Sequence, residues 1–278
     1  MSAVGTREVA AGEVRRPAHA RRGPGNAALR IGAVALAVVA WELGTGGVGY
    51  RPLPPALLPS PGETWQSLVQ YARSGLLAVD VSRTLTQAFL GLGLGMVAGT
   101  LLGVALAYAP RVGDALEPLL AALNSLPRVA VAPLLIIWFG LGITSKVLLA
   151  FFTVVFVIFM NTYAGVRSVD PDLVRAVQVL GGGAGHVARW VVFPWVAGWV
   201  FAALRTSVSL ALAATVTGEF VGSTQGLGYR MVLATGVLDT PRVFAILLVL
   251  MTVGYLVVEG ARRVEGYLLR WRPEAAIS

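Results

Sequence analysis

Six apolar runs of membrane-spanning length constrain this chain more than any other feature of its sequence. A helix needs about 20 predominantly apolar residues to cross a bilayer, and its backbone groups must be satisfied within the helix itself. With 56% hydrophobic and only 13% charged residues, the chain has too little polar surface to cover a soluble globule. We therefore predict an all-α, multi-pass membrane protein of about six transmembrane helices. The runs lie at residues 31–50, 82–108, 114–140, 144–166, 190–218 and 243–264.

The rare and absent residue types exclude several kinds of chemistry. There is no cysteine, so disulfides, thiol catalysis and cysteine-ligated metals are ruled out. The two histidines, His19 and His186, are too far apart in the sequence to form a metal cluster by themselves. The net charge of +8 is compatible with nucleic-acid binding, but the arginines cluster between the apolar runs, where they orient a membrane protein. We predict no metal site and no nucleic-acid partner.

The distribution of basic residues predicts which segments face the cytoplasm. With the N-terminus inside and six spans, the cytoplasmic segments hold 14 arginines, and the outer segments hold six arginines and lysines. This excess follows the positive-inside rule. We therefore predict that both termini and the segment between the fourth and fifth runs are cytoplasmic.

The ends of the chain and the first linker differ from the apolar runs in composition. Residues 1–30 are rich in arginine, alanine, glycine and proline without an apolar period, so we expect a disordered basic tail. Residues 31–50 are predicted to be an uncleaved transmembrane anchor. A cleaved signal peptide is the alternative, but the exit from this run lacks a small-residue cleavage pattern. Residues 51–81 are predicted to be an extracytoplasmic linker with an interfacial amphipathic helix at 61–73, and residues 267–278 a cytoplasmic tail.

Glycines recur at every fourth position of the second apolar run. Such a stripe of small residues allows another helix to approach closely. The same stretch, GLGLGMVAG, also matches a dinucleotide-binding fingerprint, but no strand or βαβ pattern surrounds it. We therefore predict that the stripe serves helix packing. Its members are Gly91, Gly95, Gly99 and Gly103.

One polar break between apolar runs, residues 170–194, predicts a short amphipathic helix. Asp170 can cap its N-terminus, Pro171 suits its first position, and the glycines from Gly181 onward end it. Apolar residues at i, i+3, i+4 and i+7 form a single narrow stripe. An apolar stripe on the polar side of a membrane protein predicts docking of a soluble partner. The stripe consists of Leu173, Ala176, Val177 and Leu180.

The same break resembles the signature loop of permease subunits of bacterial ABC importers, the binding-protein-dependent inner-membrane component family. That signature is Glu-Ala-Ala, three residues, glycine, nine residues, then Ile-x-Leu-Pro. Gly181 and Pro194 stand at the signature's spacing, with Val191 in place of the isoleucine and Phe193 in place of the leucine. Arg175 stands in place of the glutamate and is followed by Ala-Val instead of Ala-Ala. The glutamate replacement is a departure from the family pattern.

The likeness covers most of residues 50–272. The strings LLPSPGETW, SLPRVAVAPLLIIWFGLGITSK and GEFVGSTQGLGY are similar to those of the nitrate, sulfonate, taurine and bicarbonate-type permeases. Relatives of that subfamily also serve thiamine-precursor-like solutes. The resemblance therefore implies a transport protein and leaves the solute open.

The resemblance also implies an assembly and a cellular location. Residues 82–266 would form the permease's transmembrane domain, with a coupling loop at 167–194 whose helix sits in a groove of an ABC ATPase subunit. A second permease, either another copy of this chain or a similar permease, and an extracytoplasmic solute-binding protein would complete the complex in the bacterial inner membrane, surrounded by lipid. The chain has no P-loop, so we predict no catalytic residue here and expect ATP and magnesium on the partner ATPase. The coupling residues are predicted to be Asp170, Asp172, Leu173, Arg175, Ala176, Val177, Leu180, Gly181, Val191 and Pro194.

Polar residues inside the apolar runs are candidates for the solute pathway, because they are expensive in lipid. The arginines among them predict a small anionic solute such as nitrate, a sulfonate or taurine, with a thiamine-precursor-like solute as the alternative. Alternatively, these arginines pair with Glu117, Glu219 or backbone carbonyls and only fix helix packing. Pro127 and Pro133 are predicted to break the third run where it lines a cavity. The pathway candidates are Asn124, Ser125, Arg128, Asn161, Arg205 and Ser209.

Two other classes of function fit the sequence less well. A carrier driven by protons or sodium usually shows inverted repeats and acidic residues near mid-membrane depth. Here the acidic residues lie towards the ends of the runs, and no repeat is evident. A membrane-embedded enzyme needs clustered His, Asp, Glu or Cys at depth, which the sequence lacks. The predicted function is therefore the permease subunit of an ATP-driven importer.

Overall fold

The computed structural model describes residues 25–45 and 57–268. Within these ranges the chain is helical and contains no β-strand, which confirms the all-α prediction. The first helix, α1 (Gly25–Gly44), belongs to a separate unit at the start of the chain. The second unit contains α2 (Pro61–Arg73), α3 (Leu76–Ala107), α4 (Pro110–Asn124), α5 (Arg128–Phe139), α6 (Ile143–Arg167), α7 (Pro171–Val179), α8 (Ala184–Val187), a π-helical turn (Ala188–Val192), α9 (Phe193–Val221), α10 (Leu227–Gly236) and α11 (Thr240–Leu268).

Four of the described helical stretches are long and apolar enough to cross a membrane. They are α3, α6, the continuous stretch Ala184–Val221 and α11. Two shorter apolar segments, Gly32–Gly44 in α1 and Val129–Phe139 in α5, account for the other two predicted runs. The six predicted spans therefore correspond to four full-length helices and two shorter segments.

Helices α1 and α3 each begin six residues earlier than the sequence predicts. α1 begins at Gly25, so the last six residues of the predicted disordered tail are helical, and α3 begins at Leu76, so the last six residues of the predicted linker are helical. Alanine and leucine, which have high helix propensity, make up half of each extension. The predictions for residues 1–24, 46–56 and 269–278 fall outside the described residues.

The amphipathic helix α2 forms where the sequence predicts it, at Pro61–Arg73. A capping box starts it: the Ser60 hydroxyl accepts a hydrogen bond from the Glu63 N–H (3.1 Å), and the Glu63 carboxylate accepts one from the Ser60 N–H (2.8 Å). Gly75, with φ = 75°, then turns the chain from α2 into α3. The predicted apolar face of α2, including Trp65 and Leu68, lines a groove against α3 and α11.

The glycine stripe of α3 packs directly on α6, as predicted. All four glycines are buried, and α6 presents Val154 opposite Gly95, the Val155 carbonyl opposite Gly99 and Thr162 opposite Gly103. A β-carbon at Gly99 would lie only 2.7 Å from the Val155 carbonyl oxygen. The absence of side chains therefore sets the distance between the two helices. The buried core continues from this seam onto α9 through Leu92, Leu149, Ala150, Ile158, Leu204, Val208 and Ala211.

The third apolar run is not one continuous helix. It is divided into α4 and α5 by a break at residues 125–127, so the prediction that Pro127 interrupts the run is confirmed. Pro133, in contrast, lies inside α5 without ending it. Pro127 precedes the first residue of α5, where its missing N–H disrupts no internal helical hydrogen bond.

Candidate functional site

The short helix α7 begins as the sequence predicts. Asp170 is its N-cap residue, and its Oδ1 accepts a hydrogen bond from the Asp172 N–H at 2.8 Å. Pro171 occupies the first helical position. The acidic Asp172 lies in the first turn, where the helix dipole favours negative charge.

Two consecutive backbone hydrogen bonds end α7. The Gly181 N–H donates to the Gln178 carbonyl (3.0 Å) and the Gly182 N–H donates to the Val177 carbonyl (2.9 Å), which is the Schellman pattern. This pattern requires a left-handed residue after the helix, and Gly181 supplies it with φ = 83°. The predicted role of Gly181 is therefore confirmed in its backbone geometry.

The predicted apolar stripe of α7 is exposed. No residue of the helix is buried, and Leu180, at its C-terminal end, is 88% exposed. Leu173 is also exposed, whereas Val177 is half-buried. A structured helix that leaves its apolar stripe open presents a surface for another molecule.

Arg175, the residue that departs from the family signature, pairs within α7. Its guanidinium lies 3.0 Å from the Asp172 carboxylate, one turn earlier, and both side chains are largely exposed. Such a pair contributes little to stability, but it balances the arginine's charge on the helix itself.

After α7, α8 and the π-helical turn lead the chain back into α9. Val191 lies in the π-helical turn, and Pro194 follows in the first turn of α9. Val191 and Pro194 are half-buried, and Phe193 between them is 73% exposed. Proline has no N–H for the hydrogen-bond ladder, so its position at the start of α9 leaves the rest of that helix intact.

Three contacts fix the two ends of the predicted coupling loop, residues 167–194. The Trp195 indole N–H in α9 donates to the Ser168 hydroxyl just after α6 at 3.0 Å. A β-carbon at Gly165 would lie 2.8 Å from the Trp199 ring, so α6 and α9 are in close contact here. Arg167, the last residue of α6, forms an ion pair with Asp114 in α4 at 2.9 Å. The loop is therefore attached to α4, α6 and α9.

Gly181→Ala should weaken the predicted coupling to an ATPase, because it would displace the end of α7. A left-handed conformation disfavours a residue with a β-carbon by about 1–2 kcal/mol, so the last turn and Leu180 should shift. Gly183→Ala is the matched control, because Gly183 has negative φ and a β-carbon added there would have no neighbour within 4 Å. We expect ATP-driven uptake to fall several-fold in Gly181→Ala and to stay unchanged in Gly183→Ala. Equal uptake by both variants would contradict this role for Gly181.

The pathway candidate Arg205 is paired with an acidic residue of another helix. Its guanidinium lies 2.8 Å from the Glu265 carboxylate in α11. Glu219, the partner suggested by the sequence, instead accepts hydrogen bonds from the Thr84 hydroxyl (2.9 Å) and the Gly228 N–H (2.8 Å). Arg205 therefore links α9 to α11, and its charge is balanced without a solute.

The other five pathway candidates lie in different parts of the structure. Asn124 and Arg128 flank the break between α4 and α5, but their side chains lie outside the described part of the structure, and Ser125 lies exposed in the break. The Asn161 amide donates to the Val157 carbonyl of its own helix at 2.8 Å. Ser209 lines a groove of about 420 Å³ between α9 and α11. The structure thus brings three candidates together at one helix break and does not join them with the remaining three.

Comparison with known proteins identifies the family. Residues 91–264 match the family described as binding-protein-dependent transport system inner membrane component. The chain belongs to this family. It is therefore a permease subunit of an ABC importer for a small solute, and the region matched includes α7 and the whole predicted coupling loop.

The relatives of this permease differ in the solutes for which they are named. It is 38% identical over 242 residues to the riboflavin transport system permease protein of Chloroflexus aurantiacus. This alignment covers 85% of this chain and 87% of the relative. This permease is also 29% identical over 252 residues to the taurine transport system permease protein of Escherichia coli. That alignment covers 88% of this chain and 90% of the relative. A solved structure of the inward-facing MetNI methionine ABC transporter shares its fold, with a TM-score of 0.59, 18% identity and coverage of 70% of this chain and 96% of that one.

Sequence reasoning missed a buried polar cluster at the end of the permease opposite α7. The Asp80 carboxylate in α3 is fully buried and accepts hydrogen bonds from Tyr71 (2.8 Å), the Gly226 N–H (2.8 Å) and Arg230 (2.6 Å). Burial and the adjacent Asp80 carboxylate raise the pKa of the Tyr71 phenol, so it remains a donor. The available signal was the carboxyl group of Asp80 at the edge of an apolar run. Its partners could not be identified, because Arg230 in α10 is 150 residues further along the chain.

Asp80→Ala should destabilise the permease strongly. Removing one member of a buried ion pair typically costs about 3–5 kcal/mol, because the remaining charge loses its partner. We expect a large fall in the thermal unfolding midpoint of the purified protein in detergent. Asp114→Ala is the control, because the Asp114–Arg167 pair is half exposed and should change the midpoint little. Similar midpoints for the two variants would argue against the cluster's structural role.

Proposed function

We propose that this permease, a second permease copy and two ATPase subunits form the membrane core of an ATP-driven importer. An extracytoplasmic binding protein delivers the solute to it. The observation that carries the proposal is the exposed apolar stripe of α7, on a helix whose two ends are fixed by a cap and a Schellman motif. This surface fits a groove of a soluble ATPase. The proposed coupling residues are those predicted from the sequence.

Movement of α7 would reach the membrane helices through the contacts at its base. Ser168–Trp195 and Gly165–Trp199 connect the loop to both α6 and α9. Arg167–Asp114 extends the connection to α4, whose other end is the break at residues 125–127. When ATP draws the two ATPases together, the two α7 helices approach each other, and this displacement opens the pathway to the outside. Coupling over such a distance depends on chains of packed side chains and polar contacts.

In this proposal the permease performs no covalent chemistry. ATP and magnesium bind to the ATPase, and hydrolysis returns the pathway to the cytoplasmic side, where the solute leaves. The permease contributes the pathway walls and the mechanical connection between α7 and those walls.

The relatives of this permease are named for chemically different classes of solute. One relative is named for riboflavin, a planar heterocycle, and another for taurine, a small sulfonate. The sequence-based prediction of an anion rests on Arg128 and Arg205. The charge of Arg205 is balanced by Glu265, so it provides no argument for an anionic solute; the anion remains a prediction.

Reconstitution tests the proposal directly. The permease is placed in liposomes with the ATPase and the binding protein of its own importer, and uptake of radiolabelled riboflavin and of taurine is measured separately. We expect ATP-dependent uptake of one of them and none with an ATPase whose P-loop lysine is replaced by alanine. Uptake by the permease alone, driven by a proton or sodium gradient, would overturn the proposal in favour of a secondary carrier.

A further inference from the structure

The second end of the predicted coupling loop contains an irregular turn inside a continuous helical stretch. The stretch runs over Ala184–Val221, and between α8 and α9 it widens into the π-helical turn Ala188–Val192. There the Phe193 N–H donates to the Ala188 carbonyl, five residues earlier instead of the usual four. Single π-helical turns within α-helices are rare and are concentrated at functional sites.

Pro194 is the physical reason for the widened turn. In an unbroken α-helix the N–H of residue 194 would donate to the Trp190 carbonyl. A proline has no N–H, and its ring clashes with the carbonyl four residues earlier. Hydrogen bonding to the fifth residue back keeps the chain helical while the turn widens. One hydrogen bond of the ordinary helical ladder is therefore missing between α8 and α9.

The π-helical turn follows an exposed part of the permease. No residue between Gly165 and Val196 is buried. Within this part α7 and α8 pack on each other, because a β-carbon added at Gly182 would lie 2.6 Å from a Val177 methyl carbon and 3.3 Å from the His186 β-carbon. Helices α7 and α8 therefore form one exposed unit.

Directly after Pro194, α9 is attached to α6. The Trp195 indole donates to the Ser168 hydroxyl at 3.0 Å, and the Trp199 ring, about one turn further, lies against Gly165. The change from the exposed α7–α8 unit to an attached helix thus falls at the π-helical turn, where a hydrogen bond of the ladder is missing.

We propose that the π-helical turn is a hinge, maintained by Pro194, between the α7–α8 unit and α9. The inference rests on the proposed importer function and gives Pro194 a positioning role in it. Hinges are short segments that absorb backbone rotation between parts that move as units, and a turn at a proline bends more readily than an intact α-helix. The hinge lets α7 stay seated in the ATPase groove while α9 and α6 change their tilt together.

Pro194→Ala tests the hinge, because alanine supplies the missing N–H and has the highest helix propensity. The variant is reconstituted with the ATPase and the binding protein of its own importer, and uptake of radiolabelled riboflavin and of taurine is measured. We expect the ATPase to stay bound and to hydrolyse ATP, while uptake per ATP hydrolysed falls about tenfold, within the usual range of coupling between distant sites. Pro110→Ala is the matched control, because Pro110 is the first residue of α4, where an N–H has no partner within the helix. Its uptake should equal that of the wild type.

Pro194→Gly distinguishes a hinge from a packing contact of the proline ring. Glycine supplies the N–H but has a low helix propensity, so the turn stays flexible and uptake should exceed that of Pro194→Ala. A packing role predicts the reverse order, because glycine removes more of the side chain than alanine does.

Hydrogen–deuterium exchange of residues 188–193 in the complex with the ATPase reads the hinge without any solute. We expect exchange in the wild type to change on adding ATP, and exchange in Pro194→Ala to be several-fold slower and independent of ATP.

Four results would overturn the hinge and leave the importer intact. They are wild-type uptake by Pro194→Ala, lower uptake by Pro194→Gly than by Pro194→Ala, loss of the ATPase from Pro194→Ala, and identical exchange in Pro194→Ala and the wild type. Gradient-driven uptake by the permease alone would instead overturn the importer.

Discussion

Gly99→Ala should prevent α3 from packing against α6, whereas Gly93→Ala on the same helix should be tolerated. A β-carbon at Gly99 would lie 2.7 Å from the Val155 carbonyl oxygen and 3.0 Å from the Phe159 nitrogen. Both are backbone atoms of a long helix, which cannot move aside as a side-chain end can. At Gly93, no atom lies within 4 Å of the added carbon.

The two substitutions should have opposite effects on the stability of the permease. Overpacking a close helix contact costs about 3 kcal/mol, so Gly99→Ala should yield little monodisperse protein and a much lower thermal unfolding midpoint in detergent. At an exposed helical position, alanine is favoured over glycine by up to about 1 kcal/mol, so Gly93→Ala should match or slightly exceed the wild type. If both variants purified and unfolded alike, the glycine stripe would not set the α3–α6 distance.

Leu180→Asp should abolish association with the ATPase, whereas Val179→Asp should not. The two residues are neighbours at the end of α7 and are almost equally exposed, at 88% and 86%. They differ in direction: successive helical residues are turned by about 100°, so Leu180 lies on the apolar stripe and Val179 does not. A carboxylate on the stripe would be desolvated in the proposed groove without a partner.

The measurement is co-purification of the ATPase with affinity-tagged permease. Loss of an apolar contact at the centre of an interface typically costs about 2 kcal/mol or more, so the Leu180→Asp variant should retain less than about a tenth of the ATPase that the wild type retains. Val179→Asp controls for the added charge and its position near the helix end. Equal losses in the two variants would indicate a general charge effect instead of docking by the stripe.

The features predicted from the sequence are mostly local. The Asp170 cap, the glycine end of α7 and the four-residue period of the α3 glycines involve residues within one or two helical turns. Their geometry therefore follows from rules that apply to any helix. The Pro127 break was predictable for the same reason.

The features that the sequence could not supply depend on tertiary proximity. Arg205 pairs with Glu265, which is 60 residues away in the sequence, and Arg230 pairs with Asp80, which is 150 residues away. The early start of α3 is linked to the second of these, because Asp80 is accommodated in the helix by partners from α2 and α10. A charged residue signals a cost in lipid, but only the fold determines which partner offsets it.

The most direct test of docking by α7 is cross-linking from its apolar stripe. Because the chain contains no cysteine, Ala176→Cys introduces its only thiol, on that stripe. A thiol-attached benzophenone is photoactivated in the complex assembled with the ATPase, and Thr235→Cys, at an exposed position of α10, is the control. We expect a permease–ATPase adduct from Ala176→Cys whose yield changes on adding ATP, and none from Thr235→Cys. No adduct from Ala176→Cys, or equal adducts from both positions, would contradict docking by α7.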